Sequence, residues 1–289
     1  QAEDGIRDSV ASRGLGDVYK RQTLIFADAK ITTFAYWDKP DVNLWYSLPK
    51  EINKNTKVLF VIHGASRDVK RYFRAAYKEA KDKNVILVVP HFKKEDFRYY
   101  YTLGMSTNDG EIISNDNKHL TSSISSFYKY FQSKYQLFQK SYLIYGFSGG
   151  SQFVHRYMMY GDDQAIDKAA IGSAGWYTFI NSEPFPYGIK NKPIDKDRMA
   201  RFMSREVLFL LGEEDNSPNH SSLNSSKGAM NQGNNRLERG IRYFQNLTKA
   251  SEKLELSFRW RYRLVKGLDH DTYGTVSYTH LTLPTKRIV

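Results

Sequence analysis

Short apolar runs alternate with stretches in which apolar residues recur every three or four positions, from about residue 31 to residue 265. That alternation predicts strands separated by amphipathic helices, the pattern of a mostly parallel sheet covered on both faces. KVLFVIHG at 57–64 reads as a buried central strand ending in glycine. Val69, Tyr72, Phe73, Ala76, Tyr77 and Ala80 then share one helical face. NVILVVP is the next strand, stopped by Pro90. Leu120, Ile124, Phe127, Tyr128, Phe131 and Tyr135 mark a second helix. SYLIYGFSGG is a strand running into a glycine-rich turn, and the helix after it turns Phe153, Val154, Tyr157 and Met158 inward. KAAIGSAG and REVLFLLG are strands. RLERGIRYFQNLTKASEK is a helix with Leu237, Ile241, Phe244 and Leu247 inward, and LSFRWRYRLV is the last strand. Ahead of them all, TTFAYW and NLWYSLP predict an antiparallel hairpin leading into the sheet.

Two long segments, 175–204 and 212–234, show no regular period. Segments of that length inside a compact domain are usually functional or disordered. Pro184, Pro186 and Pro193 make the first a candidate cap over a pocket; the second is rich in Asn, Ser and Gly. The ends differ in character. Residues 2–22 have neither a hydrophobic period nor signal-peptide anatomy, and residues 276–289 are similarly featureless. Both resemble translated sequencing-adapter read-through, which recurs at the ends of reading frames assembled from environmental DNA. The expected organisation is a non-native tail over 1–22, one α/β domain over 23–275 and a second non-native tail over 276–289. On this reading the native termini are missing, with any signal peptide and a last packing helix, and the compartment is not legible.

Composition narrows the chemistry. The chain has no cysteine, which excludes disulfides, thiolate metal sites and a cysteine nucleophile. No apolar run of ~18 residues marks a transmembrane helix. Lys and Arg number 43 against 31 Asp and Glu, a formal net charge of +12. Such a charge can serve nucleic acid, an anionic membrane surface or an acidic substrate, or simply solvate a lysine-rich surface. Arg259, Arg261 and Arg263 alternate with Phe258, Trp260, Tyr262 and Leu264. This period of two predicts a half-exposed strand near a sheet edge, its aromatics turned to the core and unavailable to stack on bases. No nucleic-acid partner is expected.

Gly146-Phe147-Ser148-Gly149-Gly150 fits G-x-S-x-G at the end of an apolar strand and the start of a helix. That is the context of a nucleophile elbow, where a strained turn lifts the serine hydroxyl above the sheet and flanking glycines let strand and helix approach. A serine needs a base. Of the seven histidines, His280 lies in the final tail, and His155 sits among core-facing positions of the elbow helix. His91, His119 and His220 lie in or near loops, and His63 ends an earlier strand. His270 alone follows the last strand, in the order Ser, acid, His that the elbow fold requires. The acid belongs after REVLFLLG, where spacing leaves Glu213, Glu214 and Asp215 open; Asp269 and Asp271 read as solvated loop carboxylates. The oxyanion donors are expected at the N–H of Gly149 and at Ala65 in the His63-Gly64-Ala65-Ser66 loop. Each such donor is typically worth ~3 kcal/mol in the transition state. No metal or cofactor is expected, and neither H-E-x-x-H, an EF-hand loop, G-x-G-x-x-G nor a P-loop appears.

The chain resembles the α/β-hydrolase superfamily and, within it, bacterial poly(3-hydroxybutyrate)-depolymerase-like esterases. The pieces that carry the resemblance are VIHGASRDVKRY, YGFSGGSQFVHR, AGWYT with FPYG shortly after, LGEEDNSP, QGNNRLERG and GLDHD, spread over about 31–275. It implies an α/β-hydrolase fold with a cap-like insertion and favours Asp215 over the two glutamates. It also implies that Trp176, Tyr177, Phe185 and Tyr187 line the substrate pocket. Phe147 stands where many relatives have histidine. A separate polymer-binding module is lacking, so the expected substrate is a small or oligomeric carboxylic ester, short polyesters included. A peptidase or thioesterase would use the same machinery, and a non-catalytic binding protein is a further alternative.

Overall fold

A computed structural model describes residues 28–162 and 165–279. The tail 1–22 and the second tail from residue 280 onward lie outside the described residues. Among the described residues eight strands form one sheet: β1 (Lys30–Phe34), β2 (Val42–Ser47), β3 (Lys57–Ile62), β4 (Val85–His91), β5 (Tyr142–Phe147), β6 (Ile166–Gly172), β7 (Glu206–Gly212) and β8 (Trp260–Val265). Their order is β1-β2-β4-β3-β5-β6-β7-β8. β1 and β2 form the expected hairpin, Phe34 opposite Val42, and β2 runs antiparallel to β4; every other pairing is parallel.

Helices cover both faces because the central strands are apolar on both. In β3, Val58, Phe60 and Ile62 enter the larger core, while Leu59 and Val61 enter the smaller one. The smaller core is roofed by α1 (Val69–Ala80), which buries Val69, Tyr72, Phe73, Ala75, Ala76 and Ala80. Asp68 starts α1 by accepting from the Arg71 N–H at 3.0 Å. The larger core takes residues from α2 (Ser123–Lys134), α3 (Gly149–Tyr160), α4 (Lys196–Ser204) and α6 (Arg236–Lys253). A single turn, α5 (Lys227–Met230), precedes α6, and α7 (Thr272–Ser277) ends the described chain. Among the described residues no helix is long and apolar enough to cross a membrane.

The strand order places the site. From β3 the chain steps one way to β4, then returns to lay β5 on the other side of β3. At such a switch point the loops leaving β3 and β5 diverge and open a crevice beyond their carboxyl ends. Those loops carry Ala65 and Ser148. The loops after β7 and β8 carry Asp215 and His270 to the same end of the sheet.

Five features depart from the sequence pattern. Ile241, expected inward on α6, is 37% exposed. Pro90 does not stop β4: the β3 ladder ends at Val88, so the missing N–H costs no bond on that side. Segment 175–204 is not wholly irregular, since α4 fills its end, capped by Asp195 and burying Met199, Phe202 and Met203. β8 is an edge strand, but only Trp260 of its alternating aromatics is buried. Tyr262 and Leu264 are 39% and 42% exposed at the open edge of the sheet, where no further strand follows. Arg259 and Arg261 reach Glu206 on the neighbouring strand at 3.6 and 3.2 Å. Finally, α7 runs across the 275/276 boundary and buries Val276 in the smaller core.

Candidate active site

Ser148 sits between β5 and α3 at φ 56°, ψ −120°, a region that side chains other than glycine rarely occupy. Its N–H donates to Gly172 O on β6 at 2.9 Å. The turn closes only because of its glycines. A Cβ on Gly146 would overlap the Gly150 carbonyl, and one on Gly150 would overlap the Ile62 carbonyl of β3. α3 therefore enters against bare backbone, and all its residues are buried.

The His270 Nε2 lies 3.1 Å from Ser148 Oγ. Its Nδ1 lies 2.7 Å from Asp215 Oδ2. Of the three acids after β7, Asp215 is the buried one that meets the histidine. Glu214 is exposed, and Glu213 accepts from the Gly267 N–H at 3.1 Å. Asp271 is more than a solvated loop carboxylate: it caps α7 through Gly274 N at 2.7 Å and pairs with Arg71 at 3.1 Å.

Burial is the largest influence on His270 and lowers its pKa below the ordinary 6.5. The charges of Arg236 and His220 push the same way, and the Asp215 carboxylate opposes them. Burial by itself would raise Asp215, but hydrogen bonds and charge from His270, Arg236 and Ser173 hold it below the usual carboxylate value. The resting pair is thus a neutral imidazole on an ionised carboxylate. Neutral imidazole is the form that accepts a proton, so kcat/KM should stay high as pH falls to 6.5 and decline only below it. A pH–rate profile on a neutral ester, with its acid limb at or above 6.5, would contradict this.

The backbones of Gly149 and Ala65 lie close together. A Cβ on Gly149 would stand 2.7 Å from Ala65 N, and one on Gly64 would stand 3.4 Å from Ser148 Cβ. Neither amide donates to a protein acceptor among the described residues, which leaves both free for a ligand oxygen. His63, with no chemical role from sequence, holds this loop in shape. Its buried ring is pushed down to about 3 by desolvation and stays neutral. Nδ1–H donates to Gly64 O at 3.0 Å and Nε2 accepts from Phe92 N at 3.1 Å. The Tyr100 hydroxyl donates to His63 O at 2.8 Å.

Of the four aromatic residues expected along the pocket, three are packed into the interior. Trp176 lies between the Arg156 guanidinium, 4.1 Å from its ring centre, and the Tyr187 ring at 4.7 Å. Tyr177 stacks on Tyr243 at 4.4 Å, and Phe185 meets Tyr160 edge-on at 5.3 Å. Tyr177 and Phe185 have no exposed surface and Trp176 has 1%, so Tyr187 alone is partly open. His155 is a core histidine whose Nε2 accepts from Thr178 N at 3.1 Å. Sequence reasoning passed over Arg236, whose guanidinium meets Asp215 Oδ1 at 3.2 Å. Its one signal was an arginine at the first position of a helix, where the dipole disfavours a cation unless an anion answers it. Among the described residues no group of three or more His, Asp or Glu side chains is arranged to hold a metal ion.

The fold is that of the α/β-hydrolases. No protein-family model matches the sequence, and no curated protein matches it. Among solved structures, poly(aspartic acid) hydrolase-1 from Sphingomonas sp. KT-1 is 29% identical with a TM-score of 0.81, covering 88% of this chain and 98% of that one. LpqC, a poly(3-hydroxybutyrate) depolymerase from Bordetella parapertussis, is 23% identical with a TM-score of 0.76, covering 88% and 90%. The siderophore hydrolase EstB from Aspergillus nidulans shares the fold at 13% identity and a TM-score of 0.54, covering 90% and 98%. These neighbours agree with the esterase and depolymerase-like branch to which the sequence points.

Proposed function

We propose that the protein is a serine hydrolase of carboxylic esters, with Ser148 as nucleophile, His270 as base and Asp215 as the acid that orients it. The observation that carries this reading is the unbroken run from Asp215 through His270 to Ser148, at 2.7 and 3.1 Å. Ser148 Oγ attacks the ester carbonyl carbon while its proton passes to His270 Nε2. The carbonyl electrons move onto oxygen, which the Gly149 and Ala65 amides hold. The tetrahedral species collapses, and His270 gives the proton to the departing alcohol. Water then loses a proton to His270 and attacks the acyl-enzyme, and Ser148 leaves and regains its proton. Removing either amide donor from the oxyanion costs about 10²–10³ in kcat.

A fluorophosphonate probe tests the reading on the intact chain. The expected result is covalent labelling, with the added mass on the peptide containing Ser148. A folded protein that takes no label, or takes it at another serine, refutes the reading.

Asp215→Asn gives a second check. Arg236 donates to Oδ1, so the asparagine carbonyl will turn to the arginine and its NH₂ to His270 Nδ1. The imidazole is then driven to the tautomer with its proton on Nε2, which faces Ser148 and cannot accept. The expected loss is about 10⁴-fold in kcat with little change in KM. A loss under tenfold would remove Asp215 from the proposed role.

A second substrate reading rests on charge. The net charge of +12 favours an anionic substrate, and the similar Sphingomonas protein is named a hydrolase of poly(aspartic acid). The same serine would then cleave amides of an acidic polymer. Comparing p-nitrophenyl esters, oligomeric hydroxyalkanoates and poly(aspartate) at low and high salt separates the two. Turnover of the polyanion that collapses in salt favours the amide reading, and salt-insensitive ester turnover favours the first.

A further inference from the structure

We propose that Arg236 is a positioning residue of this site: it clamps Asp215 on the oxygen turned away from His270 and anchors the loop that carries His220 against the His270 ring. The proposal rests on the assignment of Asp215 and His270 made above. Arg236 is the first residue of α6, and Asn235 before it caps the helix by accepting from Glu238 N at 2.8 Å. The next residue, Leu237, donates its N–H to Asp215 O at 3.1 Å. The first turn of α6 thus holds Asp215 by backbone and side chain together.

The guanidinium works in two directions. One terminal nitrogen meets Asp215 Oδ1 at 3.2 Å; the other donates to Ser222 Oγ at 2.8 Å. The Ser222 N–H and hydroxyl both lie against His220 Nδ1, at 3.2 and 3.1 Å. The His220 ring in turn stands 5.7 Å from that of His270. Arg236 thus ties segment 212–234, irregular in sequence, to the site through Asp215 and Ser222. The side chains of Arg236 and Asp215 are only 2% and 3% exposed, so water does not replace either partner.

Charge gives the clamp a consequence that a simple helix tie would lack. At rest the neutral imidazole, the carboxylate and the guanidinium sum to zero. Without Arg236 the Asp215 charge would act on His270 alone and favour imidazolium. The charged and titratable groups that bear on His270 are Asp215 and Arg236 behind it and His220 beside it. Asp271 is turned to Arg71 and the start of α7, Asp269 is exposed, and Phe147 flanks the ring at 4.8 Å. Loss of Arg236 should thus raise the pH at which the base is lost, while the loosened carboxylate lowers turnover.

The test compares the parent with Arg236→Met and Arg236→Lys, reading melting temperature, fluorophosphonate labelling and the pH profile of kcat/KM on a neutral ester. In a folded Arg236→Met protein the acid limb should move up by about one pH unit, and kcat at neutral pH should fall on the order of 10²-fold. Lysine keeps the charge but lacks the fork, so Arg236→Lys should hold the limb near the parent's while recovering only part of kcat. A folded methionine variant with a parental limb overturns the proposal, whether its kcat is parental or reduced, because a merely structural role moves no limb. Where the methionine variant does not fold, Arg236→Gln takes its place, neutral like methionine but able to donate to Asp215 Oδ1: a raised acid limb supports the clamp, and a parental limb overturns it. A parent that takes no label refutes the serine-hydrolase reading itself, an outcome distinct from failure of the arginine variants.

Discussion

Ser148→Ala will lower kcat for ester hydrolysis by about 10⁶-fold and leave the melting temperature within a degree or two of the parent. Both halves follow from local geometry. Among the described residues the hydroxyl has one protein partner, His270 Nε2 at 3.1 Å, so its removal orphans no other buried group there. The strained backbone at φ 56° is set by the Ser148 N–H to Gly172 O bond and by the glycines around it. Alanine carries the same Cβ and meets the same strain. On the proposed mechanism, what remains is the pair of amides at Gly149 and Ala65 assigned to the oxyanion. They should support a residual rate some 10³–10⁴ above water. Ester turnover by purified variant and parent, with calorimetry on both, measures the two quantities together. A variant retaining a tenth of the parental kcat would show that another group is the nucleophile.

Gly150→Ala will cost about 4 kcal/mol of stability, a fall of roughly 10 °C in melting temperature. The added methyl would run into the Ile62 carbonyl and stand 2.9 Å from the His63 carbonyl oxygen. Both obstacles are backbone of the central sheet, and no side chain can rotate to make room. α3 must lift from β3, which carries the Gly149 amide away from the Ala65 amide. The surviving folded protein should therefore also lose activity, about 10²-fold for each ångström of displacement. Gly267→Ala is the matched control. Its φ of 66° also suits glycine, but an added Cβ meets nothing within 4 Å. It should cost only about 1 kcal/mol and leave kcat unchanged. Equal melting temperatures for the two variants would mean that the close packing of elbow and β3 is not maintained in solution.

The sheet was legible because its central strands are short, apolar on both faces and separated by amphipathic helices. The elbow was legible because chemistry and sterics confine a strained serine to a glycine-flanked turn between strand and helix. The acid was not legible from spacing: Glu213, Glu214 and Asp215 follow one strand, and only the bend of that loop decides which carboxylate turns inward. Helix α4 had its signals, Asp195 as cap and Met199, Phe202 and Met203 on one face, but they were masked by the prolines before them. Burial along β8 depends on what covers the last strand, which alternation cannot tell. The aromatics expected to line a pocket came from likeness alone, and the packing of three of them in the interior, against Arg156, Tyr243 and Tyr160, has no sequence signature.

The two long segments are fastened to each other, by Gln232 to the Tyr177 backbone, by Tyr187 to Ser226 and above all by Arg239. The buried Arg239 guanidinium collects the carbonyls of Gly233, Gly175 and Asn224 at 2.8, 2.6 and 2.9 Å, drawing one from the first segment and two from the second. Loop exchange between relatives is the usual route to new specificity on such a scaffold, and here it is not modular. Grafting either segment alone strips acceptors from a cation that has no water to turn to. A chimera that changes specificity and still folds must carry both segments and the arginine together, as one heritable block.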